Sequence, residues 1–217
     1  MKKFLLAATA VAAIALAGSA SAHDLLGGSI SYNVAATSDY VFRGITQTDG
    51  DAAIQGGIDY SKGMFYVGTW ASNVSFADYE VDLYAGIKPT AGDFSFDLGA
   101  ITYQYNDETL NTTELKAAVS HPLYKGTIGA ALYHNTDFGD TDYYELNGSY
   151  PLTDKLSVSG AVGEQRLGGL RYSTGNVGLT YAVTPVFSVD VRGSDTNIPE
   201  WIKPSAPRLA VTLKAAF

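Results

Sequence analysis

Apolar and polar residues alternate through nearly the whole chain beyond its first two dozen positions. This constrains the fold most, because strand side chains point to opposite faces with period two. About twelve segments read this way. The first runs near 28–46, with Ile30, Tyr32, Val34 and Ala36 on one face. Continued parity adds Tyr40 and Phe42 to that face and leaves Ser31, Asn33, Asp39, Val41 and Arg43 opposite. The second opposes Ile54, Ile58 and Tyr60 to Gln55 and Asp59. The third, around 64–73, is apolar on both faces, and its pattern gives no orientation. The fourth sets Val81, Leu83, Ala85 and Ile87 against Glu80, Asp82 and Tyr84. The fifth sets Phe94, Phe96, Leu98 and Ala100 against Asp93, Ser95 and Asp97. Leu115, Ala117 and Val119 oppose Glu114 and Lys116 in the sixth, and Ile128, Ala130 and Leu132 share a face in the seventh. The remaining five oppose Tyr144, Leu146 and Tyr150 to Glu145, Leu156 and Val158 to Ser157, Val177 and Leu179 to Asn176, Val189 and Val191 to Asp190 and Arg192, and Leu209, Val211 and Leu213 to Arg208 and Lys214.

The connections alternate as well. "SKG", "KPTAGD", "HPLYKG", "PLTDK" and "VTP" are mostly short. "QTDGD", "NVSFADY", "NDETLN", "NTDFGDT", "RLGGLRY" and "DTNIPEWIKPSAP" are longer or less regular. Short turns at one end and longer loops at the other describe an up-and-down antiparallel transmembrane β-barrel. Each segment has roughly the 9–11 residues that cross a bilayer as a tilted strand. With both termini on the turn side the strand number must be even, and twelve fits. Closure satisfies every backbone group in lipid. A periplasmic β-sandwich also alternates but needs no asymmetry of loops.

The first 22 residues are predicted to lie outside this fold. Met1-Lys2-Lys3, the apolar run "FLLAATAVAAIALAG" and "SASA" form a secretory signal peptide cleaved after Ala22. Residues 23–217 then form a single outer-membrane domain. No later stretch is long and apolar enough for a membrane helix. The formal net charge is −8, and the leader removes only two lysines, so the mature chain is more acidic still. That argues against nucleic acid as a partner. The absence of cysteine excludes disulfides, thiolate metal sites and cysteine nucleophiles. Glycine is abundant at 23, and tyrosine outnumbers phenylalanine 15 to 9, a composition that favours strands over helices.

"SDYVFRGITQT", "AIQGGIDY", "FYVGTWASNV" and "EVDLYAGI", all within residues 38–87, resemble the TorF-like porin family of Gram-negative bacteria. The resemblance extends along the mature chain and implies an outer-membrane β-barrel and passive transport. It brings no catalytic, cofactor or ligand set to transfer. The chain stops on Phe217, in phase with the last apolar face, and this looks like the terminal strand that barrels present to their assembly machinery.

The polar faces give the candidate lumen residues: Asp39, Arg43, Asp59, Glu80, Asp82, Asp97, Glu114, Lys116, Glu145, Asp190, Arg192, Arg208 and Lys214. Acids outnumber bases, which predicts a pore for small solutes or ions with mild cation preference. A ladder of ion pairs filling a narrow barrel is the competing reading, because lumen width scales with strand number. Asp39 and Arg43 would lie roughly 13 Å apart in one strand, so Arg43 needs a partner on a neighbouring strand, with Asp59 and Glu80 as candidates. No cofactor is expected and the chain does not read as an enzyme. Of the histidines, His23 is at the mature N-terminus, His121 in a short turn, and His134 on the rim with no serine paired to it locally. Loop acids Asp107, Glu108, Asp137, Asp140 and Asp142 lack the spacing of a defined Ca²⁺ site. Trp70, Trp201 and many tyrosines fit interfacial girdles or, equally, the packing of loops. A non-conducting barrel acting through loops such as 194–207 is the alternative function, and a hydrolase using His134 a more remote one.

Overall fold

The computed structural model describes residues 23–198 and 205–217. Twelve strands form the wall: β1 (Gly28–Thr37), β2 (Ala53–Lys62), β3 (Phe65–Ser72), β4 (Glu80–Ile87), β5 (Phe94–Tyr105), β6 (Thr112–Leu123), β7 (Gly126–Asn135), β8 (Thr141–Pro151), β9 (Leu156–Leu167), β10 (Leu170–Ala182), β11 (Phe187–Thr196) and β12 (Arg208–Ala216). Each pairs antiparallel with the next, and β12 pairs with β1, so the sheet closes. The seam continues through Phe217, whose backbone exchanges hydrogen bonds of 2.8 and 2.9 Å with Tyr32. Closure leaves no strand edge in the wall. The predicted leader and Trp201 lie outside the described residues.

The alternation resolves into an inside and an outside. Outward residues are apolar and bare, such as Leu146 at 61 % exposure and Val177 at 60 %. This is the belt that lipid covers in a spanning barrel. The third segment, unreadable from its pattern, is oriented by its contacts. Tyr66 reaches Asp97 across the lumen side, while Phe65 and Val67 stand exposed outside. Trp70 therefore faces inward, packed edge-on to Tyr40 at 5.4 Å, and is not a girdle residue. His121 lies within β6 rather than in a turn, with its ring 4.7 Å from that of Phe94. "RLGGLRY" is a two-residue turn, not a longer loop, because Gly168 and Gly169 (φ +49° and +98°) take the left-handed conformations that a tight hairpin requires.

The largest departure concerns the first segment. β1 ends at Thr37, Ser38 still bonds to Val211 of β12, and residues 39–48 leave the wall at the loop end and fold into the barrel. There Val41–Phe42 and Ile45–Thr46 make a two-stranded hairpin separate from the wall. Tyr40 and Phe42, expected to face lipid, are 3 % and 1 % exposed inside the lumen. With Ala53, Val74, Ile101, Tyr103 and Tyr105 they form an apolar cluster within the barrel.

Candidate functional site: a plug latched inside the barrel

The plug turns on Arg43 and Gly44, both at positive φ (44° and 79°), in a two-residue loop joining Phe42 to Ile45. This is the twist that short hairpins favour. A side chain at position 44 would collide with Thr196 of β11, so the hairpin tip abuts the wall two strands from β1. Every residue from 42 to 48 is buried.

Arg43 holds the tip. Its two terminal nitrogens donate to the two oxygens of Glu114 on β6, at 2.9 and 2.8 Å, and Nη1 also donates to Gln165 Oε1 on β9 at 2.9 Å. The Gln165 amide is oriented by donating to the carbonyls of Asp142 and Arg166. Tyr103 Oη donates to Glu114 Oε2 at 3.0 Å. The guanidinium also lies over the rings of Phe42, Tyr133 and Tyr143, 4.2 to 5.0 Å from their centroids. A planar, forked cation suits a carboxylate on one side and aromatic faces around it. Desolvating both charges is costly, so the arrangement holds only while each has its partner. Arg43 is therefore not a wall residue, and its partner is Glu114 rather than Asp59 or Glu80.

Two further anchors secure the base of the plug. Tyr40 and Tyr105 donate to the two oxygens of Glu80 at 2.9 and 2.7 Å. Asp39 accepts from the hydroxyls of Thr46 and Thr48 at 2.6 and 3.2 Å and lies 3.6 Å from Arg208. The carbonyl of Gln47 accepts from the backbone of Ser75, which ties the plug to the next loop.

Most of the other charged residues of the wall bond to a neighbouring side chain. Asp59 accepts from Tyr84 at 2.7 Å, and Glu145 from Tyr143 and Asn147. Lys116 pairs with Asp97 at 2.8 Å and Arg192 with Asp190 at 3.1 Å. Lys214 is exposed, and strand alternation sets it opposite the outward Leu213. Asp82 is buried beside Glu80, and its Oδ1 accepts no hydrogen bond among the described residues.

Accessibility divides these groups. The side chains of Arg43 and Glu114 are only 3 % and 4 % exposed, whereas those of Arg192 and Asp190 are 25 % and 21 % exposed. The plug's buried contacts lie towards the loop end of the lumen, and the more accessible charged pairs lie towards the turn end.

The remaining candidates lie on the rim. His134 faces outward, its Nδ1 2.8 Å from Asp142 Oδ1, and no serine bonds to its ring among the described residues. Asp107 caps a short 3-10 turn through Thr109, and Asp137 accepts from the backbone of Thr113. These acids organise loops.

The model of the bacterial family Gcw_chp, described as a protein of unknown function, matches residues 17–217. No curated protein matches the chain. Among solved structures it is similar to "KdgM porin", with a TM-score of 0.62 at 11 % identity over 87 % of this chain and 98 % of that one. The same protein "in complex with disordered oligogalacturonate" gives 0.64 at 11 % identity over the same shares. NanC porin gives 0.58 at 8 % identity, covering 87 % of this chain and 98 % of its own. At these identities the likeness concerns the fold.

Proposed function

The chain belongs to the Gcw_chp family, and we propose that it is a porin-like pore of the outer membrane, restricted by its own first loop. In this reading the leader is removed after Ala22, the turn end faces the periplasm and the loop end faces outward. The TorF-like porin resemblance and the likeness to KdgM and NanC barrels support passive passage of small solutes or ions. The observation that carries the proposal is the division of the lumen. A more accessible vestibule lined with charge ends at a plug whose tip is held by ionic and phenolic contacts, which water can replace, and whose base packs into an apolar cluster.

The charge of the vestibule supports cations as the preferred ions. Lys116 and Arg192 are neutralised by Asp97 and Asp190, and Lys88 is held over the face of Tyr66 at 4.7 Å at the turn end. Of the candidate lumen charges in the wall's open part this leaves Asp59 and Glu145 against Lys214. Such a lining disfavours a polyanion of the kind bound by the KdgM structure. In planar bilayers under a salt gradient, purified protein is expected to show small, discrete steps with a cation-selective reversal potential. Asp59→Asn with Glu145→Gln is expected to move that potential towards zero. Anion selectivity, or a reversal potential unmoved by the pair of substitutions, would refute the cation reading. Silence of both wild-type and plug-deleted protein, with folding verified, would refute the pore.

A further inference from the structure

The outward wall is interrupted near its turn end. Gly148 of β8 faces Gly160 of β9 in register, flanked by Ile128 on β7 and Val177 on β10. All four belong to the lipid-facing parity set. Two adjacent positions without side chains, in a belt of large ones, leave a groove of about 330 Å³. Its apolar walls are Leu123, Ile128, Tyr150, Val158 and Val177, with Thr127, Asn147, Ser149 and Ser159 also contributing to the lining.

The groove lies about three residues from the end of β8, some 10 Å along the strand from the turns. Those turns carry Lys125, between β6 and β7, and Lys155, between β8 and β9, both exposed. Among the described residues neither ammonium lies within ion-pair distance of a carboxylate, and the nearest acid in sequence is Asp154. Two lysines at headgroup level above an apolar notch at acyl depth match one amphiphile: an anionic phosphate joined to a hydrocarbon chain.

We propose that this notch is a phospholipid site in the leaflet at the turn end. One acyl chain lies over Gly148 and Gly160 while the phosphate is held between Lys125 and Lys155. The proposal needs only the barrel and its lipid face, so it stands whether or not the lumen conducts. Tyr124, 95 % exposed at the same turn, completes the interfacial edge.

The test is native mass spectrometry of the full chain in detergent, titrated with palmitoyl-oleoyl phosphatidylglycerol or the matching phosphatidylcholine. Wild type is expected to retain one phosphatidylglycerol at collision energies that strip further adducts. Gly148→Leu fills the notch and is expected to weaken that adduct at least tenfold. The added Cβ would approach the Thr127 carbonyl to 3.2 Å, a contact that needs a small adjustment. Ile128→Ala with Val177→Ala removes the walls at exposed positions and serves if the glycine variant does not fold. Lys125→Gln with Lys155→Gln is expected to weaken phosphatidylglycerol several-fold and leave phosphatidylcholine unchanged. Equal retention by wild type and the notch variants would overturn the proposal. So would a protein dimer that loses its second copy in Gly148→Leu, because the notch would then seat another barrel.

Discussion

Arg43→Ala is expected to raise single-channel conductance several-fold over wild type. The substitution leaves Glu114 desolvated with Tyr103 as its remaining charge-directed donor and empties the space among Phe42, Tyr133 and Tyr143. Breaking one side of a buried pair costs about 3–5 kcal/mol. The cheapest relief is for the hairpin to leave the lumen and let water reach Glu114. The wall is closed by its own ladder from β1 to β12 and does not depend on the plug, so the variant should still migrate as a folded, heat-modifiable barrel. Arg43→Met with Glu114→Leu replaces the pair by apolar groups of similar size, an exchange that is often neutral or better. That double variant is expected to return conductance towards wild type. Equal conductance of wild type and Arg43→Ala would show that the guanidinium does not hold the plug.

Gly44→Val should open the pore by a different route. Valine at φ +79° pays the left-handed penalty of about 1–2 kcal/mol that β-branched residues meet at its fullest. Its side chain also runs into Thr196. The tip cannot seat, but Arg43 and Glu114 remain, so frequent transitions between closed and open levels are expected rather than a steady open state. Gly63→Ala is the control. Gly63 also has positive φ, at 60°, but a Cβ there meets nothing within 4 Å. Its conductance trace should match wild type. A Gly44→Val trace equally unchanged would mean that the tip does not need its seat against β11.

The wall was legible in the sequence because each strand has two solvents, and the period-two pattern records both. Parity groups Asp59, Glu80, Asp82, Asp97, Glu114, Lys116, Glu145, Asp190, Arg192 and Lys214 on the polar faces of their strands without knowledge of register. The same rule misled at Tyr40 and Phe42. Parity describes residues only while the chain stays in one sheet, and the chain leaves it after Ser38. Aromatic residues suit a lipid face and a packed lumen equally well, so their type could not reveal the exit. One local signal was present. "VFRGIT" sets an Arg-Gly pair between β-formers, the length of a tight hairpin, followed by the polar "QTDGD". The partner of Arg43 was not legible, because Glu114 lies 71 residues away and register is set by turns across the whole barrel. Trp70 was misplaced for a related reason: its strand is apolar on both faces, and only the plug packing against it makes the inner face apolar.

In the proposed pore, residues 41–46 restrict an otherwise passable lumen. The most direct test of this restriction is the single-channel conductance of a chain in which these residues are replaced by two glycines, recorded beside wild type under the same salt. The account predicts a folded barrel with a conductance step several times larger and cation preference retained from Asp59 and Glu145. A folded barrel whose conductance equals that of wild type would contradict it.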